Sequence, residues 1–253
     1  LVGAEMCIRD SIATVHQLYR FKQHFDTVFI DEVEAFPLSM DPNLSLAIQT
    51  ASKAIHSHIY MTATPPRQLI KQMSSHKVIK LPARFHRQPL PVPHFKHFKL
   101  NTSRVQSQLI HLFQAQIKQQ RYTLVFFNHI ETMKDAYHKY RAHIPNLICV
   151  YSEDVYRFDK VEALRRGEHS IVFTTTILER GFTMARLDVI VINAETFSKA
   201  ALIQIAGRVG RKMEEPKGLV LFLHEGVSLS MIKAKKDITE MNRLGYERGW
   251  LDA

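Results

Sequence analysis

Two stretches decide how this chain is read: Phe173-Thr-Thr-Thr-Ile-Leu-Glu-Arg-Gly-Phe-Thr183 and Gln204-Ile-Ala-Gly-Arg-Val-Gly-Arg211. The first carries a short apolar run into hydroxyl residues and then into Gly181, which permits a tight backbone turn. A plainer reading makes one of the threonines a helix N-cap and leaves Glu179 and Arg180 solvated. In the second stretch Arg208 and Arg211 are three positions apart, so on a helix they would share a face. Two guanidiniums aimed at one spot suit a phosphate, because each offers a planar fork of donors. Gly207 and Gly210 would let the backbone approach such a group closely, which a merely solvated basic helix does not require.

Outward from these stretches, short apolar runs alternate with helical patterns, the signature of a parallel α/β architecture. The runs predict strands at Thr27–Ile30, His58–Thr62, Leu124–Phe127, Leu147–Tyr151, Ile171–Thr174, Val189–Asn193 and Leu219–His224. Several are continuously apolar, as strands buried on both faces are. Val105, Leu109, Leu112, Phe113 and Ile117 form one helical stripe, and Met133, Ala136, Tyr137 and Tyr140 form another; both read as core. The segment from Leu81 to Leu100 holds Pro82, Pro89, Pro91 and Pro93 among many His, Lys and Arg, and reads as a linker with room for a short strand. Arg84, His86, Arg87 and Lys96 would lend it charge.

Composition narrows the partners. The 253 residues are 45% hydrophobic and 23% charged, which excludes collagen-like, low-complexity and mainly disordered chains. Lys and Arg outnumber Asp and Glu by 34 to 24, and the resulting +10 favours a polyanion such as nucleic acid or an anionic membrane surface. No apolar run approaches the roughly 18 residues of a membrane span, so the stretch is expected to be soluble. The only two cysteines, Cys7 and Cys149, exclude a disulfide framework and a four-thiolate zinc site within these residues, and fit a cytoplasmic setting. Cys149 reads as a small buried hydrophobe. Residues 1–11 show no clear period and resemble translated adapter sequence, so they are expected to be non-native.

Two further motifs carry chemistry. Thr27-Val-Phe-Ile-Asp-Glu-Val-Glu34 is an apolar strand that ends in adjacent carboxylates, at the sheet edge where α/β proteins hold ligands. In a nucleoside triphosphatase Asp31 would hold Mg2+ through water and Glu32 would orient or deprotonate the attacking water. An exposed acidic turn is the commoner meaning of such a pattern alone. Tyr60-Met-Thr-Ala-Thr-Pro65 puts Thr62 and Thr64 at a strand end, where hydroxyls can bond neighbouring loops and the acidic pair. The bland alternative is a plain turn broken by Pro65 and Pro66.

The order of these four elements resembles motifs II, III, V and VI of superfamily 2 helicases of the DEAD/DEAH type. Asp31-Glu-Val-Glu-Ala-Phe-Pro37 and the two opening stretches are similar to the ComFA family, cytosolic ATPases of bacterial DNA uptake during transformation. Ala13-Thr-Val-His-Gln-Leu-Tyr-Arg-Phe21 resembles motif Ib and Leu124-Val-Phe-Phe-Asn128 resembles motif IV. The resemblance runs from about Ile12 to Asn242. It implies RecA-like parallel sheets with flanking helices, in a partial first domain (12–85) and a complete second, helicase C-terminal domain (104–242). A Pro/basic linker (86–103) would join them and a tail (243–253) would follow. Also implied are ATP and Mg2+ as cofactors and single-stranded DNA as partner, with the competence machinery at the inner face of the membrane. The intact protein would be cytoplasmic and membrane-associated only through those partners; oligomeric state is left open.

The resemblance carries roles onto matching residues. Glu32, Arg208 and Arg211 would be catalytic. Asp31, Gln204, Gly181 and Gly207 would hold nucleotide, with Asp31 on Mg2+ through water. Thr62 and Thr64 would couple, and His16, Gln17, Arg20, Asn128, Thr175 and Thr176 would meet DNA. Thr183 stands where many relatives carry Asp, and Asp-Glu-Val-Glu replaces the commoner Asp-Glu-Val-Asp. No Gly-x-x-x-x-Gly-Lys followed by Ser or Thr occurs in the chain. The family's zinc-binding cysteine module is also absent, so Zn2+ is expected only upstream. Both absences imply an N-terminal truncation, and the chain alone is expected to hydrolyse ATP poorly. Two alternatives stay open: a replication-restart helicase of the PriA type, and a non-catalytic DNA-binding or assembly module.

Overall fold

The computed structural model describes residues 10–34, 38, 41–73, 77–178 and 182–252. Most of the adapter-like start and Gly181 therefore lie outside the described residues. The chain divides into two compact units, Leu1–Ile79 and Lys80–Ala253.

The first unit is built on a two-stranded parallel sheet, β1 (Phe25–Ile30) and β2 (Ser52–Tyr60). Between them runs α1 (Pro42–Ala51), which starts where the Asp41 side chain accepts the Asn43 N–H at 2.9 Å and Pro42 supplies a preset first turn. Leu44, Ala47, Ile48 and Ala51 recur at helical spacing and form its buried face. A short helix, α2 (Arg67–Gln72), follows β2. Strand β2 begins earlier than the expected His58 and stops at Tyr60, so Thr62 and Thr64 lie beyond it.

The second unit is a six-stranded sheet in the order β3-β8-β7-β4-β6-β5. Its strands are β3 (His94–His97), β4 (Tyr122–Phe126), β5 (Ile148–Val150), β6 (Ile171–Thr174), β7 (Leu187–Val191) and β8 (Val220–His224), and every pairing is parallel. The helices are α3 (Ser107–Lys118), α4 (Ile130–Tyr140), α5 (Arg157–Arg165), α6 (Lys199–Ala206) and α7 (Leu229–Glu247). Successive strand residues point to opposite faces, so each strand feeds two cores. Leu124, Phe126, Val172, Val189, Val191 and Phe222 pack with Leu202, Ile205, Met231 and Ile238 of α6 and α7. Val125, Phe127, Ile171, Phe173, Ile190 and Leu221 pack with Leu109 and Phe113 of α3 and with Met133, Ala136 and Tyr140 of α4. Both expected helical stripes are therefore core, and Cys149 is buried among the same residues, with its thiol pKa pushed up by that burial.

The segment expected as a linker packs within the second unit. It supplies β3 at the sheet edge, where His94 to His97 pair with Leu221 to His224. Its prolines precede the strand rather than interrupt it. The C-terminal residues expected as a tail also belong here. Asn242 of α7 accepts the Leu90 N–H at 2.7 Å and donates to the Leu90 carbonyl at 2.8 Å, and Arg248 donates to the Lys80 carbonyl.

At the amino end of the central strand β7, Asp188 is almost fully buried. It accepts from Arg121 Nε at 3.1 Å and from the Leu219 N–H at 2.7 Å. Gly218 sits so close that a side chain there would meet both members of the pair at 2.6 Å. Removing one partner of a buried ion pair strands the other, at a cost of about 3 kcal/mol. Asp188→Ala is accordingly expected to lower the urea unfolding free energy of the second unit by about that amount. A loss below about 1 kcal/mol would mean that water already solvates Arg121.

Candidate functional site

In the first unit the acidic motif turns immediately after β1. Asp31 and Glu32 are exposed, and Asp31 Oδ1 accepts the Glu32 N–H at 2.9 Å. Glu32 is left-handed, with φ 48°. That backbone costs a non-glycine residue about 1 kcal/mol and recurs where a side chain must be held in a fixed direction. Parallel pairing sets the threonine motif beside it: the Met61 N–H donates to the Ile30 carbonyl at 2.8 Å. Thr62 Oγ1 accepts the Thr64 N–H at 3.0 Å, and Thr64 Oγ1 donates to Glu34 Oε1 at 3.4 Å. The link between hydroxyls and carboxylates runs through Glu34, two residues beyond the adjacent pair. Among the described residues no group of three or more His, Cys, Asp and Glu could hold a metal ion by itself. An exposed carboxylate oxygen such as that of Asp31 fits Mg2+, which keeps several waters and is shared with substrate phosphates.

The motif Ib stretch forms a 3-10 turn, Val15–Arg20. His16, Gln17 and Arg20 are exposed on it. Gln17 has a local duty as well, since its Oε1 accepts the Thr14 N–H at 3.2 Å.

In the second unit the parallel ladder sends every strand's carboxyl end to one edge. Asn128 follows β4 and donates from Nδ2 to the Thr196 carbonyl at 3.3 Å. Thr175 and Thr176 follow β6, the neighbour of β4; Thr175 is buried and Thr176 is exposed. Thr174 Oγ1 donates to the Val150 carbonyl at 2.9 Å and fastens β6 to β5.

The arginine motif departs from expectation. Helix α6 ends at Ala206 and Gly207 caps it, so Arg208 and Arg211 lie in the turn beyond and do not share a helix face. Arg208 is 3% exposed and donates from Nη1 to the carbonyl of Phe182 at 3.2 Å, tying the arginine stretch to the Thr/Gly stretch. Arg211 is exposed, and its Nε donates to the Gly207 carbonyl at 2.9 Å. Gln204 is buried on α6. Gly210 has φ +65°, and a Cβ there would lie 2.0 Å from the Pro216 carbonyl oxygen, so the turn requires glycine.

Arg84 and His86 complete this turn, although the sequence shows them only as charge in a basic segment. Arg84 Nη1 donates to the carbonyls of Val209 at 2.7 Å and Gly210 at 2.8 Å, and Nη2 donates to that of Gly207 at 2.9 Å. Burial, and then the nearby Arg211 charge, bring the Arg84 pKa down to about 10, so it stays a cation at neutral pH. His86 Nδ1 accepts the Gln88 N–H at 3.2 Å, which leaves Nε2 to donate to the Gly210 carbonyl at 2.9 Å. Carbonyl partners are invisible to motif reading, because every residue type carries one.

Known proteins resemble this chain in sequence and in fold. Residues 104–213 match the helicase conserved C-terminal domain. The chain is 37% identical to Competence protein ComFA of Bacillus subtilis (strain 168) over 242 residues, 92% of this chain and 52% of that protein. It is also 37% identical to Competence protein ComFA of Streptococcus pneumoniae (strain ATCC BAA-255 / R6) over 246 residues, 92% of this chain and 56% of that protein. The chain thus spans about half the length of the curated relatives it matches. In fold it is similar to S. cerevisiae Dbp5 bound to RNA and ADP BeF3. The TM-score is 0.59 at 14% identity, covering 90% of this chain and 60% of that one. Sequence and domain match together make this chain similar to the ComFA competence proteins, with a helicase C-terminal domain at 104–213, and its fold is similar to that of solved helicase-type structures.

Proposed function

We propose that the chain belongs to a DNA-dependent ATPase that moves single-stranded DNA, as in DNA uptake during natural transformation. The observation that carries this reading is the joined arginine turn: Arg208 is buried against the Phe182 carbonyl while Arg211 is left exposed on a turn that needs glycine. A plain surface helix would have no use for that arrangement. The ComFA likeness supports the DNA-uptake role, and the +10 charge supports a polyanionic partner.

In this mechanism Asp31 would help hold Mg2+, and Glu32 would orient the attacking water. The bound ion supplies charge neutralisation at the phosphates. Arg211 supplies positive charge to the transferring phosphoryl group, and Arg208 keeps its turn joined to the Thr/Gly stretch. Thr64, through Glu34, ties the threonine motif to the acidic turn. Single-stranded DNA contacts Asn128 and Thr176 at the carboxyl edge and His16 and Arg20 on the 3-10 turn, mainly through its backbone. Full turnover needs a phosphate cradle of the P-loop kind.

Two outcomes test the reading. In a version of the chain supplied with a P-loop segment, Glu32→Gln is expected to retain ATP and Arg211→Ala to slow DNA-stimulated hydrolysis about 100-fold. Undiminished phosphate release in both variants would sink the mechanism. For the chain itself, fluorescence anisotropy with an oligothymidylate is expected to show affinity falling about tenfold or more between roughly 50 and 200 mM salt. Affinity indifferent to salt would rule out backbone-dominated contact.

A further inference from the structure

Three carbonyls of the arginine turn, those of Gly207, Val209 and Gly210, all receive protons from one guanidinium that lies outside every motif. Gly207 is shared: Arg84 Nη2 and Arg211 Nε both donate to its oxygen, each at 2.9 Å. Gly210 is shared as well, between Arg84 Nη1 and His86 Nε2. A carbonyl has two lone pairs, so at both residues the acceptor is filled and its plane is fixed from two sides. The Gly210 backbone stands at φ +65°, and a Cβ there would strike the Pro216 carbonyl oxygen at 2.0 Å, so the turn holds a glycine.

We propose that Arg84 and His86 are positioning residues for Arg211: they fix the Gly207–Gly210 turn and so set where the Arg211 guanidinium meets a nucleotide phosphate. This rests on the nucleotide reading above. Arg84 does not itself need to reach the phosphate, because its donors are directed at the backbone. Its cation still contributes. Held by carbonyls, it keeps its positive charge beside Arg211 at neutral pH. The fork geometry is the essential part. Lysine would keep the charge but could not present two nitrogens in a plane to three oxygens.

The test uses the 253-residue chain and inorganic pyrophosphate, followed by the Nε–H signals of its arginines in NMR titrations into the millimolar range. Saturable binding that shifts the Arg211 signal and is lost in Arg211→Ala is expected. Arg84→Ala is expected to weaken it about tenfold, with Arg84→Lys recovering little of the loss. His86→Phe, which preserves ring volume and removes one donor, is expected to cost about threefold, and it keeps the test open if Arg84→Ala does not fold. Hydrogen exchange at residues 207–211 should quicken in the Arg84 and His86 variants while the strands β4 and β7 remain protected. Wild-type affinity in Arg84→Lys would show that charge and not geometry matters, and would overturn the positioning role. Unchanged exchange in the turn would overturn it too. If Arg211→Ala binds pyrophosphate as the wild type does, the phosphate reading of Arg211 fails, whereas the exchange data still judge the clamp.

Discussion

Burial of both faces of a parallel sheet is the constraint from which the second unit follows. The stretch Leu124–Phe126 of β4 is apolar on both sides, because α6 and α7 cover one face and α3 and α4 the other. Most polar chemistry is thereby moved to the strand ends and the loops that leave them, as with Asp188 at the start of β7 and Thr174 at the end of β6. Since all the ladders are parallel, those loops emerge at a shared edge, and residues far apart in sequence become neighbours there. Asn128 and Thr175 are an example: their strands β4 and β6 are adjacent, although α4, β5 and α5 intervene along the chain.

Arg208 and Arg211 escape this rule, because their stretch follows a helix. A helix end leaves carbonyls without partners, and a turn built beyond it adds more. Here cationic side chains meet that need. Arg84 and Arg211 both donate into the turn, which also sits favourably at the negative end of the α6 dipole. The short apolar helix therefore does more than fill core. It delivers a set of acceptors at a fixed place, and the arginines organise themselves on it.

How much of this was legible in the sequence depends on the kind of signal. Strands buried on both faces announce themselves as continuous apolar runs, and β4, β6, β7 and β8 lie within two residues of where the pattern puts them. Strand β3 shows in the sequence only as room for a short strand in a linker, because it lies at an edge, alternates Phe95 with His and Lys, and follows four prolines. The acidic and threonine motifs were readable as strand ends, but their connection through Glu34 depends on the register of β1 against β2. The Arg84 clamp left no trace at all. Its partners are main-chain oxygens more than 120 residues away, and no side-chain pattern encodes them.

The same logic separates two arginines that look equivalent in a motif. Spacing alone suggests a matched pair of forks. The end of α6 at Ala206 breaks that equivalence, because the residues beyond it no longer follow a helical period. Arg208 turns inward and spends a donor on Phe182, where a buried charge is tolerable only if its hydrogen bonds are made. Arg211 lies exposed on the turn, and its Nε donates to the Gly207 carbonyl. One arginine thus joins two stretches internally and the other stays exposed on the turn. The left-handed glycine between them makes that division possible, since any other residue at position 210 would collide with Pro216 before the chain could reverse.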